Sequence, residues 1–526
     1  MVDKSRVAKR FQRFFCWLLF GGLAFFLIRF AMYALTIITT PVPVEYREGA
    51  MLLNTAFLMR GVNPYDLENH PLAMNVYGFG YNLAVYPFAV FFGNSLVVHR
   101  AVSALFILLS CGITIYWIIF RGGSPLFAIS GGSLLMASLL FNVTPVARPD
   151  ALGVFLFLVA IFLPERYYFN RASLIASAFF GVAAFYTKPY FVLSLGIMAS
   201  FLFLFISKEK GLHYSFGSAF ILLAFATLLR ISSECYFLDT ILHHIALTGR
   251  SIQMMVNQIV YFLLVYLPLL LILTNIIADR SWKSYNDSIR VGLKGSFMQK
   301  NGTFINLSNL NQPLVSTKAN LPWYAFTIST MVFIFTLGQH LNNYIVYLFQ
   351  LMTPFLLVGI FQYLDKNHNF SFITVPLILV NFYIFNNYVL YSNDPRPYQA
   401  EWRRIEELIS SSRNIINSPA IAPLLVEMGK PVYDSGETEY YYTMQPYSTT
   451  ILAPKFELVD ERGRDYLDQV NKIIENKNAD LVIITENYSP IISLAVLSRQ
   501  YKHIETIIVG MPQTKQNWKL QLWIPK

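Results

Sequence analysis

Long apolar runs constrain this chain more than anything else in it. About eleven of them, each near the ~20 residues a helix needs to cross a bilayer, follow one another. Their approximate extents are 15–40, 96–120, 125–143, 151–164, 172–187, 190–207, 215–233, 257–278, 321–337, 344–361 and 372–391. Only helices or closed barrels satisfy every backbone N–H and C=O inside a bilayer, and runs of this length specify helices. The expected fold class is therefore membrane all-α: a polytopic bundle of about eleven transmembrane helices. Charge agrees, since only 13% of the 526 residues are charged, against about 25% in soluble domains.

The net charge of +10 raises the question of nucleic acid, but the basic residues lie beside apolar runs, where they set topology. Lys4, Arg6, Lys9, Arg10 and Arg13 precede the first run. Arg121, Arg166 with Arg171, Lys208 with Lys210, and Arg280 through Lys300 fall in alternate loops. Those loops are expected to be cytoplasmic. The opposite face then holds 41–95, 144–150, 188–189, 234–256, 338–343 and everything after about 392. The basic start followed by an apolar run too long for a signal-peptide core reads as a retained first span. The expectation is a protein integral to the cell (inner) membrane with a cytoplasmic N-terminus. Cys16, Cys111 and Cys235 form no CxxC or Cys/His pattern, so the cysteines imply neither a disulfide framework nor a zinc site.

Two domains are expected. Residues 1–391 form the membrane domain, with a structured first outer loop at 41–95. Residues 392–526 form a soluble extracytoplasmic α/β domain. In it, Arg403–Asn414 has the pattern of an amphipathic helix, and Asp465–Asn476 of another. Pro431–Tyr433, Leu481–Thr485, Ile504–Val509 and Leu520–Ile524 read as strands. The cytoplasmic loop 279–320 is polar and Asn-rich and is expected to be partly disordered. Within the first outer loop, Val44–Arg60 has a helical pattern capped by Gly61. A turn-rich segment of alternating glycines and aromatics, Asn75 to Asn82, follows it.

The outer loops collect ionisable residues, and the topology rule disfavours the cations among them there. The first carries Glu45-Tyr46-Arg47-Glu48-Gly49, then Gly61-Val62-Asn63-Pro64-Tyr65. Later ones carry Arg148-Pro149-Asp150, Lys188, Arg250, and Gly338-Gln339-His340-Leu341-Asn342-Asn343-Tyr344. Each has a bland explanation: acids favour a helix N-terminus, Asp150 suits a helix cap, and cations snorkel to headgroups. Together they suit one task. A carboxylate serves as general base on a hydroxyl or holds a divalent cation such as Mg or Mn. Arginine and lysine hold a phosphate that departs as a leaving group. No GxSxG, HExxH or Walker loop is present.

In order and topology these motifs resemble the GT-C glycosyltransferases, membrane enzymes that use polyprenyl-phosphate sugars. The most similar branch is the family 39-like group, which includes protein O-mannosyltransferases and aminoarabinose transferases. The resemblance rests on the acidic first loop, Gly61–Tyr65, Arg148-Pro149-Asp150, Lys188, and Gly338…Asn343-Tyr344. It implies transfer of a sugar from a polyprenyl-phosphate donor to a hydroxyl of a lipid, glycan or protein acceptor at the outer face. It points to Glu48 as the catalytic acid, with Glu45 as the alternative. Arg148, Lys188 and Arg250 are the candidates for the donor phosphate. Asp150, Tyr65, Tyr77, His340, Asn343 and Tyr344 are the candidates for other substrate contacts. Two other functions use similar parts: a transporter or flippase of a lipid or glycan, and an envelope glycan ligase taking its donor from a diphosphate lipid. Transporters place polar sites at the bilayer midplane within paired repeats; here no internal repeat is evident, and the polar residues gather at one face.

Overall fold

A computed structural model describes residues 4–142, 145–242, 251–292, 320–338, 345–364, 373–392, 398–436, 438, 456–485, 491–511 and 516–526. Each expected apolar run coincides with helix. In chain order the helices are α1 (Lys4–Thr39), α2 (Glu48–Met59), α3 (Gly80–Phe92), α4 (Leu96–Phe120), α5 (Pro125–Asn142), α6 (Asp150–Arg166) and α7 (Arg171–Phe185). Then come α8 (Leu193–Phe201), α9 (Lys208–Ser232), α10 (Ile252–Gly292), α11 (Leu321–Phe335), α12 (Thr353–Phe361) and α13 (Thr374–Ser392). Wider turns extend two of them: Leu202–Ile206 continues α8, and Ile345–Met352 leads into α12. Among the described residues, five helical segments are long and apolar enough to cross a membrane: Arg10–Thr39, Leu96–Phe120, Pro189–Ile206, Lys208–Ser232 and Ile252–Ala278. The protein is an integral membrane protein.

Local chemistry sets the ends of these helices. Ser95, Asn170 and Ser207 accept the exposed N–H groups at the starts of α4, α7 and α9 through their side chains. Gly61, at φ +71°, ends α2 in the left-handed region. The main core lies among α1 and α4–α13, with Phe157, Phe191, Phe201, Phe355 and Phe382 buried within it.

Three expectations need correction. Helix α3 lies where the sequence suggested a turn-rich lead-in to the second span; its glycines and aromatics masked 13 residues of helix. α10 continues past residue 278 to Gly292, into the loop expected to be disordered. Pro431–Tyr433 is not a strand. The Asn417 side chain takes the Tyr433 and Asp434 N–H groups at 2.7 and 3.2 Å, so no neighbouring strand receives them.

The C-terminal part carries α14 (Gln399–Ser411), α15 (Ala422–Glu427), α16 (Phe456–Glu475) and α17 (Leu494–Gln500). Its described strands are β1 (Ile415–Ile416), β2 (Leu481–Thr485), β3 (Tyr501–Met511) and β4 (Gln516–Pro525), in spatial order β1-β2-β4-β3. β1 and β2 run parallel, while β2–β4 and β4–β3 are antiparallel. This unit packs on the segment between α1 and α4. Ala422 and Ser435 approach Gly49 so closely that a Cβ there would lie 2.6 Å from the Ala422 methyl. Glu427 accepts the Leu96 N–H at the start of α4 at 2.5 Å.

Candidate functional site

The site is assembled around a buried ion pair. Arg100, in the second turn of α4, has no exposed surface. Its Nε and Nη2 donate to the two oxygens of Glu48 at 2.8 and 2.7 Å. Its remaining N–H groups donate to the carbonyls of Ile37, Thr40 and Val42 at 3.0, 2.6 and 2.9 Å. All five guanidinium hydrogens are thereby used. Glu48 also accepts from the backbone N–H groups of Ala147, Val44 and Glu45 at 3.1, 3.0 and 3.3 Å. The pair fastens the end of α1, the start of α2, α4 and the turn before α6 at one point. Glu48 itself is fully buried, with its oxygens taken by five donors.

Ala147 precedes Arg148, so this fastening fixes where Arg148 begins. A second fastening brings Tyr77 over the turn after α7. Gly78 and Gly80 donate to the carbonyls of Thr187 and Tyr186 at 3.2 and 3.3 Å. A Cβ on Gly78 would sit 1.8 Å from the Tyr186 oxygen, so the close approach requires glycine. Behind Tyr77, the Tyr65 hydroxyl donates to the Tyr77 carbonyl at 2.7 Å. Further back, His70 Nε2 meets Asp239 Oδ2 at 2.9 Å, tying the segment between α2 and α3 to the segment after α9.

Three cations converge on Tyr77. Its hydroxyl accepts from Arg47 Nη1 at 3.0 Å and from Arg148 Nη2 at 2.7 Å. The Lys188 ammonium lies 4.5 Å from the ring centroid, within cation–π range. Two carboxylates flank them. Asp150 Oδ1 receives Lys188 Nζ at 2.7 Å and Gln350 Nε2 at 2.9 Å, and Arg148 Nε lies 3.4 Å from Asp150 Oδ2. The Tyr190 hydroxyl donates to Gln350 Oε1 at 2.9 Å. Glu45 Oε2 accepts the Arg47 N–H at 2.8 Å, and its Oε1 stands 3.9 Å from Arg148 Nη1. Burial raises the affinity of Glu45 for its proton; the charges of Arg148 and Arg47 work against this, and Glu48 adds to it. Burial likewise pushes the Lys188 ammonium down to about 8, with Asp150 opposing the shift and Arg148 reinforcing it.

The structure therefore brings Glu45, Tyr77, Arg148, Asp150 and Lys188 into one cluster and sets Tyr65 behind it. It places Glu48 about one layer deeper, against Arg100. Arg250, His340, Asn343 and Tyr344 lie outside the described residues. Sequence reasoning placed Arg47 among the cations that could serve an anion, but assigned no role to Arg100, Tyr190 or Gln350. Arg100 had a signal: it is an arginine inside an apolar run, which is costly unless paired. Among the described residues no three His, Cys, Asp or Glu side chains converge as metal ligands. Glu48 and Asp150 are instead engaged by Arg100 and by Lys188 with Arg148. This donor set does not fit a Mg or Mn site.

What the cluster offers chemically is a concentration of fixed positive charge beside a carboxylate that holds a proton more readily than usual. The first recognises an anion; the second can accept or give a proton.

No family model matches the chain, and no curated protein matches it in sequence. Two solved structures are similar to it. ArnT from Cupriavidus metallidurans bound to undecaprenyl phosphate is 11% identical, with TM-score 0.54, over 96% of this chain and 98% of that one. The same protein in the apo state is 13% identical, with TM-score 0.55 and the same coverage. The chain shares the fold of that protein over almost its full length.

Proposed function

We propose that this protein transfers a sugar from a polyprenyl-phosphate-linked donor to a hydroxyl of a lipid, glycan or protein acceptor at the outer face of the cell membrane. The observation that carries this reading is the convergence of Arg47, Arg148 and Lys188 on Tyr77 beside Glu45. The shared fold supports it, because the similar ArnT structure holds undecaprenyl phosphate. In this reading all eleven apolar helical segments cross the bilayer, the N-terminus is cytoplasmic, and residues 392–526 form the outer domain. The cations would then stand at the outer edge of the bilayer, level with a lipid phosphate.

Glu45 takes the proton of the acceptor hydroxyl. The hydroxyl oxygen bonds to the anomeric carbon, and the bond from that carbon to the phosphate oxygen breaks. Polyprenyl phosphate leaves with one more negative charge than it carried in the donor, and Arg148, Arg47 and Lys188 stabilise that charge as it develops. Glu45, not Glu48, is the base in this proposal, because Glu48 has no oxygen left to face a substrate. The direct test is to incubate the purified protein with a panel of polyprenyl-phosphate sugars and measure donor consumption. Absence of both transfer and hydrolysis with every donor sinks the proposal.

Arg148→Ala is expected to weaken polyprenyl phosphate binding about 10-fold or more, since a hydrogen bond to a charged group is worth about 1.5–3 kcal/mol. Titration of the purified variant against wild type measures this, and equal affinities would remove Arg148 from the clamp. Binding should also depend on pH. Lys188 is charged below about 8 and neutral above it, so affinity is expected to fall as pH rises from about 7 to about 9. The phosphate itself, with a second pKa of about 6, is already ionised in that window. Lys188→Arg should flatten the profile because a guanidinium stays charged throughout. A flat profile in the wild type would contradict the assignment.

A further inference from the structure

We infer that Trp518, on strand β4 of the C-terminal domain, is a positioning residue for the anion clamp and acts through Tyr46 and Arg47. The inference rests on the proposed reading of that cluster as a phosphate site and extends it to a part of the chain that reading leaves without a role.

The contacts form a continuous path. The indole of Trp518 stacks on the Tyr46 ring, with centroids 5.8 Å apart and planes 30° apart. The Arg47 guanidinium carbon lies 5.0 Å from the centroid of that same ring. Arg47 Nη1 then reaches the Tyr77 hydroxyl, which Arg148 also contacts. One aromatic ring is thus shared between the domain and a clamp cation.

The domain also fixes the backbone beneath that ring. Gly436, at φ +104°, lies against Tyr46, and a Cβ there would be 2.6 Å from the Tyr46 carbonyl oxygen. Tyr46 and Trp518 both pack on the hydrophobic cluster that joins Val42 of the first outer loop to Ile421, Leu425 and Leu522 of the domain. Two guanidinium groups near one phenol oxygen repel each other. Arg47 therefore stays beside Arg148 only while something else holds it, and the Tyr46 ring is one such support. Removing Trp518 frees that ring to turn, and Arg47 with it.

The test measures undecaprenyl phosphate binding to the purified full-length protein in detergent, with no dependence on turnover. Trp518→Ala is expected to weaken binding about 5- to 10-fold, and Trp518→Phe, which keeps a stacking ring, to stay within about twofold of wild type. Trp518→Leu keeps apolar volume without the ring and should behave like alanine, which covers the case in which the alanine variant fails to fold. The decisive measurement is a double-mutant cycle. In an Arg47→Ala background, Trp518→Leu should cause no further loss, because its effect passes through Arg47. Wild-type affinity in Trp518→Leu, or losses that add in the double variant, would overturn the inference and leave the proposed function standing. If the wild-type protein does not bind undecaprenyl phosphate at all, the proposed function fails and this inference fails with it.

Discussion

Glu45→Gln is expected to lower the transfer rate about 10²–10⁴-fold, the usual contribution of a well-placed general base. Glutamine keeps the size of the side chain and an acceptor for the Arg47 N–H at 2.8 Å, but it cannot take a proton. The loss should therefore fall on kcat, with the affinity for polyprenyl phosphate near that of wild type and an unchanged unfolding midpoint. The raised proton affinity of Glu45 adds a second signature. The rate should climb with pH as its carboxyl ionises, at a pH above the ordinary glutamate range, and this limb should vanish in the variant. Full activity in Glu45→Gln would end the assignment.

Glu48→Ala should act on the fold, not on the chemistry. It leaves the buried Arg100 guanidinium without its counter-charge, and breaking a buried pair by removing one partner costs about 3–5 kcal/mol. Three backbone N–H groups, of Val44, Glu45 and Ala147, lose their acceptor in the same step. A marginally stable protein rarely absorbs such a loss, so the variant should accumulate poorly in membranes and unfold at a lower temperature in detergent. Replacing both members of the pair with apolar residues should recover part of that stability, because no uncompensated charge remains. A Glu48→Ala protein with wild-type stability and no transfer activity would return the base to Glu48.

These two glutamates show where sequence reading stops. Both sit in Glu45-Tyr46-Arg47-Glu48-Gly49, three residues apart, and look equivalent on a helical face. What separates them is Arg100, 52 residues beyond Glu48, and no local pattern reports that pairing. The helices themselves were legible because a bilayer allows one solution for a long apolar run. α3 was not, since Pro87 and its aromatics gave no clear period. Leu481–Thr485 was legible as a strand because its residues are buried on both faces. Pro431–Tyr433 has a similar composition, yet a single asparagine side chain takes its backbone donors. In the cluster, Arg148 and Lys188 stood out as cations in the wrong loops, with Asp150 two residues from Arg148. Gln350 did not, because a neutral amide inside an apolar run carries little signal until its partner is known.

The separations along the chain around Asp150 also set an order of events during synthesis. Lys188 follows Asp150 by 38 residues, whereas Gln350 follows it by 200. At about 5–20 residues per second, the amide arrives roughly 10–40 seconds after the carboxylate. For most of that interval Arg148, Lys188 and Tyr190 are the described partners of Asp150 already made, and the two cations neutralise it as the early hairpins enter the bilayer. A growing chain thus carries a compensated charge well before its late helices are made, and the ribosome completes its hydrogen bonds only when those helices emerge.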